Sequence, residues 1–262
     1  MAIAVVQSQG ALTSSGSGTS GDPTRTDNTF SSAVTTGNAV VVIEWISNYL
    51  GRASTITTGA VTDNKGNTYQ RVFSLTTTNT QYKNPEVLQM YVAYNVTGGS
   101  SFSTISNASS YACCCCGTLS YPTLQSSMIS YEISGLGTSN PIDTYSTNQG
   151  LYSSNPSSGS ITNSPNAILI GCAGLDSNDA GGSAITWTGT SGFTGPVISP
   201  PSGTSQSPIP LAAEYQIVAS SSSYSSSMRA SQPGSSYWYA KAIASFKASG
   251  AAAPNSNFMV FF

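Results

Sequence analysis

Ala39-Val40-Val41-Val42-Ile43-Glu44-Trp45-Ile46 decides the fold class of this chain. Apart from one carboxylate the run is apolar and largely β-branched, and such stiff side chains fit a pleated strand better than a helical turn. A half-exposed strand alternates apolar and polar residues. This one does not, so it is expected to lie centrally with both faces covered, entered from a turn at Gly37-Asn38.

Outward from that run, strand signals recur along the chain and helix signals are nearly absent. Ala167-Ile168-Leu169-Ile170-Gly171-Cys172-Ala173 reads as a second buried strand. Residues 3–7, 87–94, 101–105, 128–133, 184–187, 211–218 and 238–246 supply further strands, several with two-residue alternation. Asp63-Asn64-Lys65-Gly66-Asn67, between residues 60–62 and 68–73, has the composition of a tight hairpin. The Ser/Gly/Thr-rich tract 8–22 is expected to be a loop, and a turn-rich passage is expected from Asn140 onward. About ten short strands without helical crossovers predict an all-β fold, an antiparallel β-sandwich of jelly-roll or immunoglobulin-like type. No internal repeat is evident, which favours one sandwich domain over residues 23–248. An N-terminal strand and flexible tract (1–22) precede it, and a linker with an apolar tail (249–262) follows.

Charged residues make up only 7% of the chain, with 8 Lys plus Arg against 10 Asp plus Glu. Scattered singly, they form no phosphate-neutralising stripe, so nucleic acid is not an expected partner. No apolar run is long enough for a membrane-spanning helix, and Met1-Ala2-Ile3-Ala4-Val5-Val6-Gln7 lacks a secretory signal pattern. An extracellular, cell-surface or virion location is expected, reached after signal removal, by a signal-independent route, or by lysis.

The absence of histidine excludes the usual Ser-His-Asp and Cys-His nucleophilic arrangements. Glu44, Glu132 and Glu214 are the strand-borne carboxylates a glycosidase would need in a pair, although nothing in the sequence brings two of them together. The expectation is therefore no enzyme. Calcium is the cofactor most compatible with this composition. Asp176 and Asp179, within Asp176-Ser177-Asn178-Asp179-Ala180-Gly181-Gly182, are the better candidate ligands, and the Asp63 loop is the lesser one. Cys113, Cys114, Cys115, Cys116 and Cys172 are read as thiols without chemistry, with a disulfide or a metal as alternatives. Asn95-Val96-Thr97 and Asn107-Ala108-Ser109 match the glycosylation pattern at Asn95 and Asn107. Trp45, Tyr91 and Trp238 are expected in the core, whereas Tyr145, Tyr152 and Tyr224 are expected in loops where they can contact a partner.

Residues 2–7, 37–45 and 61–69, with Tyr131-Glu132-Ile133-Ser134-Gly135-Leu136 and Ala244-Ser245-Phe246-Lys247, resemble a bacterial and phage-associated secreted β-sandwich module of unassigned function. A weaker likeness is to jelly-roll subunits of extracellular filaments that lend a strand to a neighbour. Those resemblances imply a scaffold rather than an activity.

Phe258-Met259-Val260-Phe261-Phe262 closes the chain with a run that soluble proteins avoid exposing. Together with Ile3 and Val5 of the N-terminal strand, it is expected to form a subunit interface by β-strand addition, giving a homopolymeric filament or pilus-like fibre with an adhesive role. A carbohydrate-binding module for surface glycans, and a phage structural protein, are the alternatives.

Overall fold

The computed structural model describes residues 2–14, 24–48, 53–78, 85–112, 124–151, 157–175, 185–199, 210–231 and 238–250. Among them no helix forms. The strands of the first half are β1 (Ala4–Ser14), β2 (Thr24–Thr29), β3 (Ala39–Asn48), β4 (Ala53–Thr58), β5 (Thr62–Asp63), β6 (Gln70–Thr78), β7 (Pro85–Ala93), β8 (Ser103–Ala112) and β9 (Leu124–Ser134). Those of the second half are β10 (Ile142–Leu151), β11 (Ile161–Thr162), β12 (Ala167–Leu175), β13 (Trp187–Thr188), β14 (Thr194–Ser199), β15 (Leu211–Val218), β16 (Ser223–Tyr224), β17 (Arg229–Ala230) and β18 (Trp238–Lys247).

Two five-stranded antiparallel sheets, β1-β9-β3-β7-β6 and β10-β18-β12-β15-β14, form the centre. Val41, Ile43, Trp45 and Tyr131 of the first pack with Ile168, Ile170, Cys172 and Phe246 of the second in one continuous core. The other face of the first sheet is covered by β2-β8-β4, with β5 also on β8, so that Val40, Val42 and Met128 meet Phe30, Val61 and Phe102. Ribbons β11-β16 and β13-β17 cover the other face of the second sheet, burying Leu169 and Ile243 with Ile161, and Ala173 and Ala212 with Trp187 and Met228. The protein is therefore an all-β sandwich whose two central sheets are each covered on both faces. That layering is why β12 carries an unbroken apolar run and β3 and β7 are apolar at most positions: every described position of β7 and β12 is buried.

The strand order repeats. Replacing β1, β9, β3, β7 and β6 by β10, β18, β12, β15 and β14 converts one central sheet into the other, and β2, β4 and β8 of the first cover match β11, β13 and the β16/β17 pair of the second. Register agrees as well. Glu44 is flanked by Gln89 and Met128, and Gly171 stands between Glu214 and Ile243 in the same way. With that alignment a trace survives in sequence: Met128-Ile129-Ser130-Tyr131-Glu132-Ile133-Ser134-Gly135 lies over Ile243-Ala244-Ser245-Phe246-Lys247-Ala248-Ser249-Gly250. Both stretches end on a left-handed glycine, Gly135 (φ 77°) and Gly250 (φ 81°). The two stretches also meet, through a bridge between Leu136 and Ala248 and a bond from the Ser249 amide to the Gly135 carbonyl. The sequence expectation of no repeat is corrected here. Almost every residue has changed between the copies, while the pairing has not.

Several local expectations change too. The tract expected as a loop from Ser8 is strand as far as Ser14, because β9 offers it backbone partners down to Gln125. The expected hairpin around Asp63 is instead a crossing between layers: Thr62 pairs with Ile105 of β8, whereas β6 pairs with β7 in the central sheet. The passage expected to be turns after Asn140 contains β10, which pairs with β18.

Candidate functional site

Each half buries a carboxylate beneath its covering layer. Glu44, on β3, accepts bonds from Ser126 Oγ (2.6 Å), Ser106 Oγ (2.7 Å) and Gln89 Nε2 (2.7 Å). Burial pushes its pKa upward, and these three donors offset only part of that. In the second half the Glu44 position is Gly171 and the Gln89 position is Glu214. Glu214 accepts from Thr190 N (2.7 Å), Thr190 Oγ1 (2.5 Å) and Ser226 Oγ (2.7 Å). A Cβ on residue 171 would stand 2.7 Å from Ser226 Oγ and 3.2 Å from Glu214 Cγ, so glycine makes the room this carboxylate uses. Lys241, which falls at the Ser126 position by the same alignment, donates to the Met228 carbonyl and lies 5.5 Å from the centre of the Tyr239 ring.

A second carboxylate moves in the same manner. Glu132 on β9 accepts from Gln7 Nε2 (2.6 Å), Asn38 Nδ2 (2.6 Å) and the Thr35 amide (2.8 Å), tying the turn before β3 to the sheet. Its counterpart on β18 is Lys247. The turn before β12 is tied instead by Asp143 of β10, which accepts from the Ser164 amide (2.6 Å), Ser164 Oγ (2.8 Å) and Ser245 Oγ (3.2 Å). Asp63 holds its own turn, accepting from the Lys65 and Asn67 amides, Asn67 Nδ2 and Tyr69 OH.

The sequence-expected residues are thus dispersed. Glu44, Glu132 and Glu214 share no hydrogen-bond partner among the described residues, and each carboxylate is occupied in fastening a turn or a covering strand. No cluster of metal-ligating side chains forms among the described residues; Asp176 and Asp179 fall outside them. Ile3 and Val5 are partly buried against the central core of their own chain. Phe258, Met259, Val260, Phe261 and Phe262 lie outside the described residues, as do Cys113, Cys114, Cys115, Cys116 and Tyr152. Cys172 is a buried free thiol. Asn95 is exposed with φ 53°, and Asn107 is half-buried on β8 opposite Arg25. Trp45 and Tyr91 are core residues as expected. Tyr145 and Tyr224 are not in loops: Tyr145 is on β10 beside Phe73, and Tyr224 is on β16 against the apolar cluster of Ile161 and Val218.

The two ends of the sandwich differ. At one end Ser14 pairs with Gln125, Asn48 with Leu124, Thr78 with Pro85, and Ala53 with Ala112. The corresponding pairs of the second half are Leu151 with Trp238, Leu175 with Tyr239, and Ser199 with Leu211. The contacts of Ser199 Oγ with the Ala11 carbonyl and of Gly174 with Trp45 place both sets at the same end. At the opposite end short turns meet, and a cleft of about 810 Å³ opens between residues 137–141, the turn 163–166, Ser221 and residues 247–250. Its wall carries Asn140 (φ 38°) and Asn166 (φ 54°). Neither the partners of the buried carboxylates nor the cleft were legible beforehand, because both depend on which strands become neighbours.

No family model matches this chain, and no curated protein or solved structure proves similar to it.

Proposed function

We propose that the chain is a non-enzymatic adhesive module of extracellular type that recognises glycans at one end of a duplicated β-sandwich. The observation that supports this is the gathering of strand ends: the terminal pairs Ser14–Gln125, Asn48–Leu124, Thr78–Pro85, Ala53–Ala112, Leu151–Trp238 and Ser199–Leu211 all lie at a single end, and the sequence between the described stretches is residues 15–23, 49–52, 79–84, 113–123, 152–156, 176–184, 200–209 and 232–237. Recognition segments are disproportionately carried by connections that a rigid scaffold positions. In sequence these segments are rich in Ser, Gly and Asn and include Tyr49, Tyr82, Tyr121, Tyr152 and Tyr237. That composition combines amphipathic rings with small hydrogen-bonding groups, as paratopes do. Tyrosine faces suit sugar rings, and a chain with 7% charged residues has little field with which to steer a charged macromolecule.

The test is a glycan array probed with the full chain beside variants in which Tyr49, Tyr82, Tyr121, Tyr152 or Tyr237 is replaced by Ser. Binding that weakens in these variants while the melting temperature holds supports the proposal. Binding indifferent to all five, or none across the array, overturns it.

Self-assembly by strand donation is the second reading, favoured by the place of β1. It is an edge strand of its sheet, pairs with β9 alone, and reaches β2 through residues 15–23. Such a strand can be exchanged with its counterpart in another copy without altering the sheet. Negative-stain microscopy and sizing chromatography of the full chain, of a version lacking residues 1–7, and of one ending at Ser249 test this. Filaments lost on either truncation support donation, and monomers throughout refute it.

A further inference from the structure

The cleft at the turn end lies where the two copies of the repeat differ in charge. At the matching position of the first half Glu132, fully buried, binds Gln7, Asn38 and the Thr35 amide. In the second half Lys247 takes the Glu132 position and Asp143 takes over the turn. Lys247 is half-buried, and no described carboxylate pairs with its ammonium.

The rest of the wall is neutral and hydroxylic. Thr138, Ser139 and Ser221 contribute hydroxyls, Asn140 and Asn166 contribute amides, and all five are exposed. The left-handed backbone at both asparagines fixes where those amides emerge. Unlike the polar groups around Glu132, none of these side chains is used in a described hydrogen bond. No aromatic ring lines the space, so stacking does not supply affinity. A single cation among neutral donors and acceptors matches a ligand with one carboxylate per hydroxylated unit. A phosphate monoester, with nearly two negative charges at neutral pH, would call for more positive groups. About 810 Å³ lies within the range of small-molecule sites, roughly 300–1,000 Å³.

We infer that this cleft is a second binding site, at the end of the sandwich opposite the first, for acidic saccharides of the uronic-acid type. Lys247 pairs with the sugar carboxylate, and Asn140, Asn166 and Ser221 bond to ring hydroxyls.

Trigalacturonic acid titrated calorimetrically into the full-length protein tests the assignment, with maltotriose as the neutral saccharide and acetate as the bare carboxylate. The expected result is trigalacturonate binding at least about tenfold tighter than either control, a difference of about 1.4 kcal/mol. Lys247→Gln should bring it to the level of maltotriose. Asn166→Gly, which keeps the left-handed backbone and removes the amide, should weaken it severalfold, whereas the tyrosine variants of the opposite end should leave it unchanged. Melting curves accompany each variant, and should Lys247→Gln fail to fold, Asn166→Gly and Asn140→Gly decide. No binding at millimolar trigalacturonate, binding that survives these substitutions, or acetate bound equally well overturns the inference.

Discussion

The indole of Trp45 fills the space that a side chain on residue 174 would require: a Cβ built on Gly174 would lie 2.6 Å from its Cε3 and 2.8 Å from its Cγ. Trp45 is on β3 and Gly174 on β12, so this contact brings the central sheets of the two copies together near the end where Asn48 pairs with Leu124. Gly174→Ala is expected to destabilise the protein by about 1–3 kcal/mol in urea unfolding, the usual effect of overpacking a filled core. Trp45→Phe removes part of the ring and a buried Nε1 that has no hydrogen-bond partner. Combined with Gly174→Ala it should cost clearly less than the sum of the two single changes, since residues in contact couple. Additive costs would show that the two residues do not share this space.

The sandwich and its doubly covered strands were legible because burial on both faces leaves an unbroken apolar run, as in β3 and β12. The hydroxyl-rich strands were not. β1 beyond Gln7, β2, β4 and β10 are built from Ser, Thr, Asn and Gln, whose side chains suit a loop equally well, and only pairing with β9, β8 and β18 makes them strands. Glu44 stood out as the singular charge in an apolar run, but its partners come from three other strands. The repeat is hidden in the sequence for a related reason. Glu44 and Gly171 have opposite character, and they become equivalent only once Gln89 and Glu214 are seen beside them.

Cys172 is expected to be chemically silent in the folded protein. It lies in the core between the central sheets, and burial pushes the thiol well above its ordinary pKa of 9.0. Iodoacetamide at pH 8 followed by peptide mapping should leave the Cys172 peptide unlabelled under native conditions and label it fully in denaturant. Native labelling on the timescale of an exposed thiol would place Cys172 outside the core.

Glu44 should make stability fall with rising pH. Its folded-state pKa is raised by burial, so above the ordinary value of 4.5 the native protein holds a proton that the unfolded chain has released. Stability therefore declines as pH climbs from 4.5 toward the raised value and is level beyond it. Glu44→Gln retains a hydrogen-bonding side chain and cannot ionise. The stability difference between variant and wild type should grow in the variant's favour across that window. A difference that stays constant with pH would mean the carboxylate is ionised in both states.

Lys241 predicts the opposite slope in a different window. Burial lowers its pKa to about 8, although the Glu214 charge pulls the other way. Between about 8 and the ordinary 10.5 the unfolded chain binds the proton that the native protein has lost, so this group adds stability as pH rises. The buried Tyr131 phenol, pushed up by desolvation, acts in the reverse direction above 10.0. The contribution of Lys241 is therefore read as the difference between wild type and Lys241→Met. That difference should shift in favour of wild type from pH 8 to pH 10, and a flat difference would show the ammonium to be solvated.

If the two buried chambers are versions of one design, the carboxylate should be transferable between strands. Glu44→Gly alone leaves Gln89, Ser106 and Ser126 without their shared acceptor and should cost about 1–3 kcal/mol or more, as leaving buried polar groups unsatisfied does. Gln89→Glu alone sets a second carboxylate against the first and should also destabilise. Together they reproduce the Gly171 and Glu214 arrangement: a glycine on the central strand, a glutamate beside it, and serine hydroxyls within reach of the vacated space. The double variant should recover more than about 1 kcal/mol relative to the sum of the singles in an unfolding cycle. Zero coupling would mean that the chambers resemble each other in register but not in chemistry, and that the carboxylate of each half is held by features peculiar to its own cover.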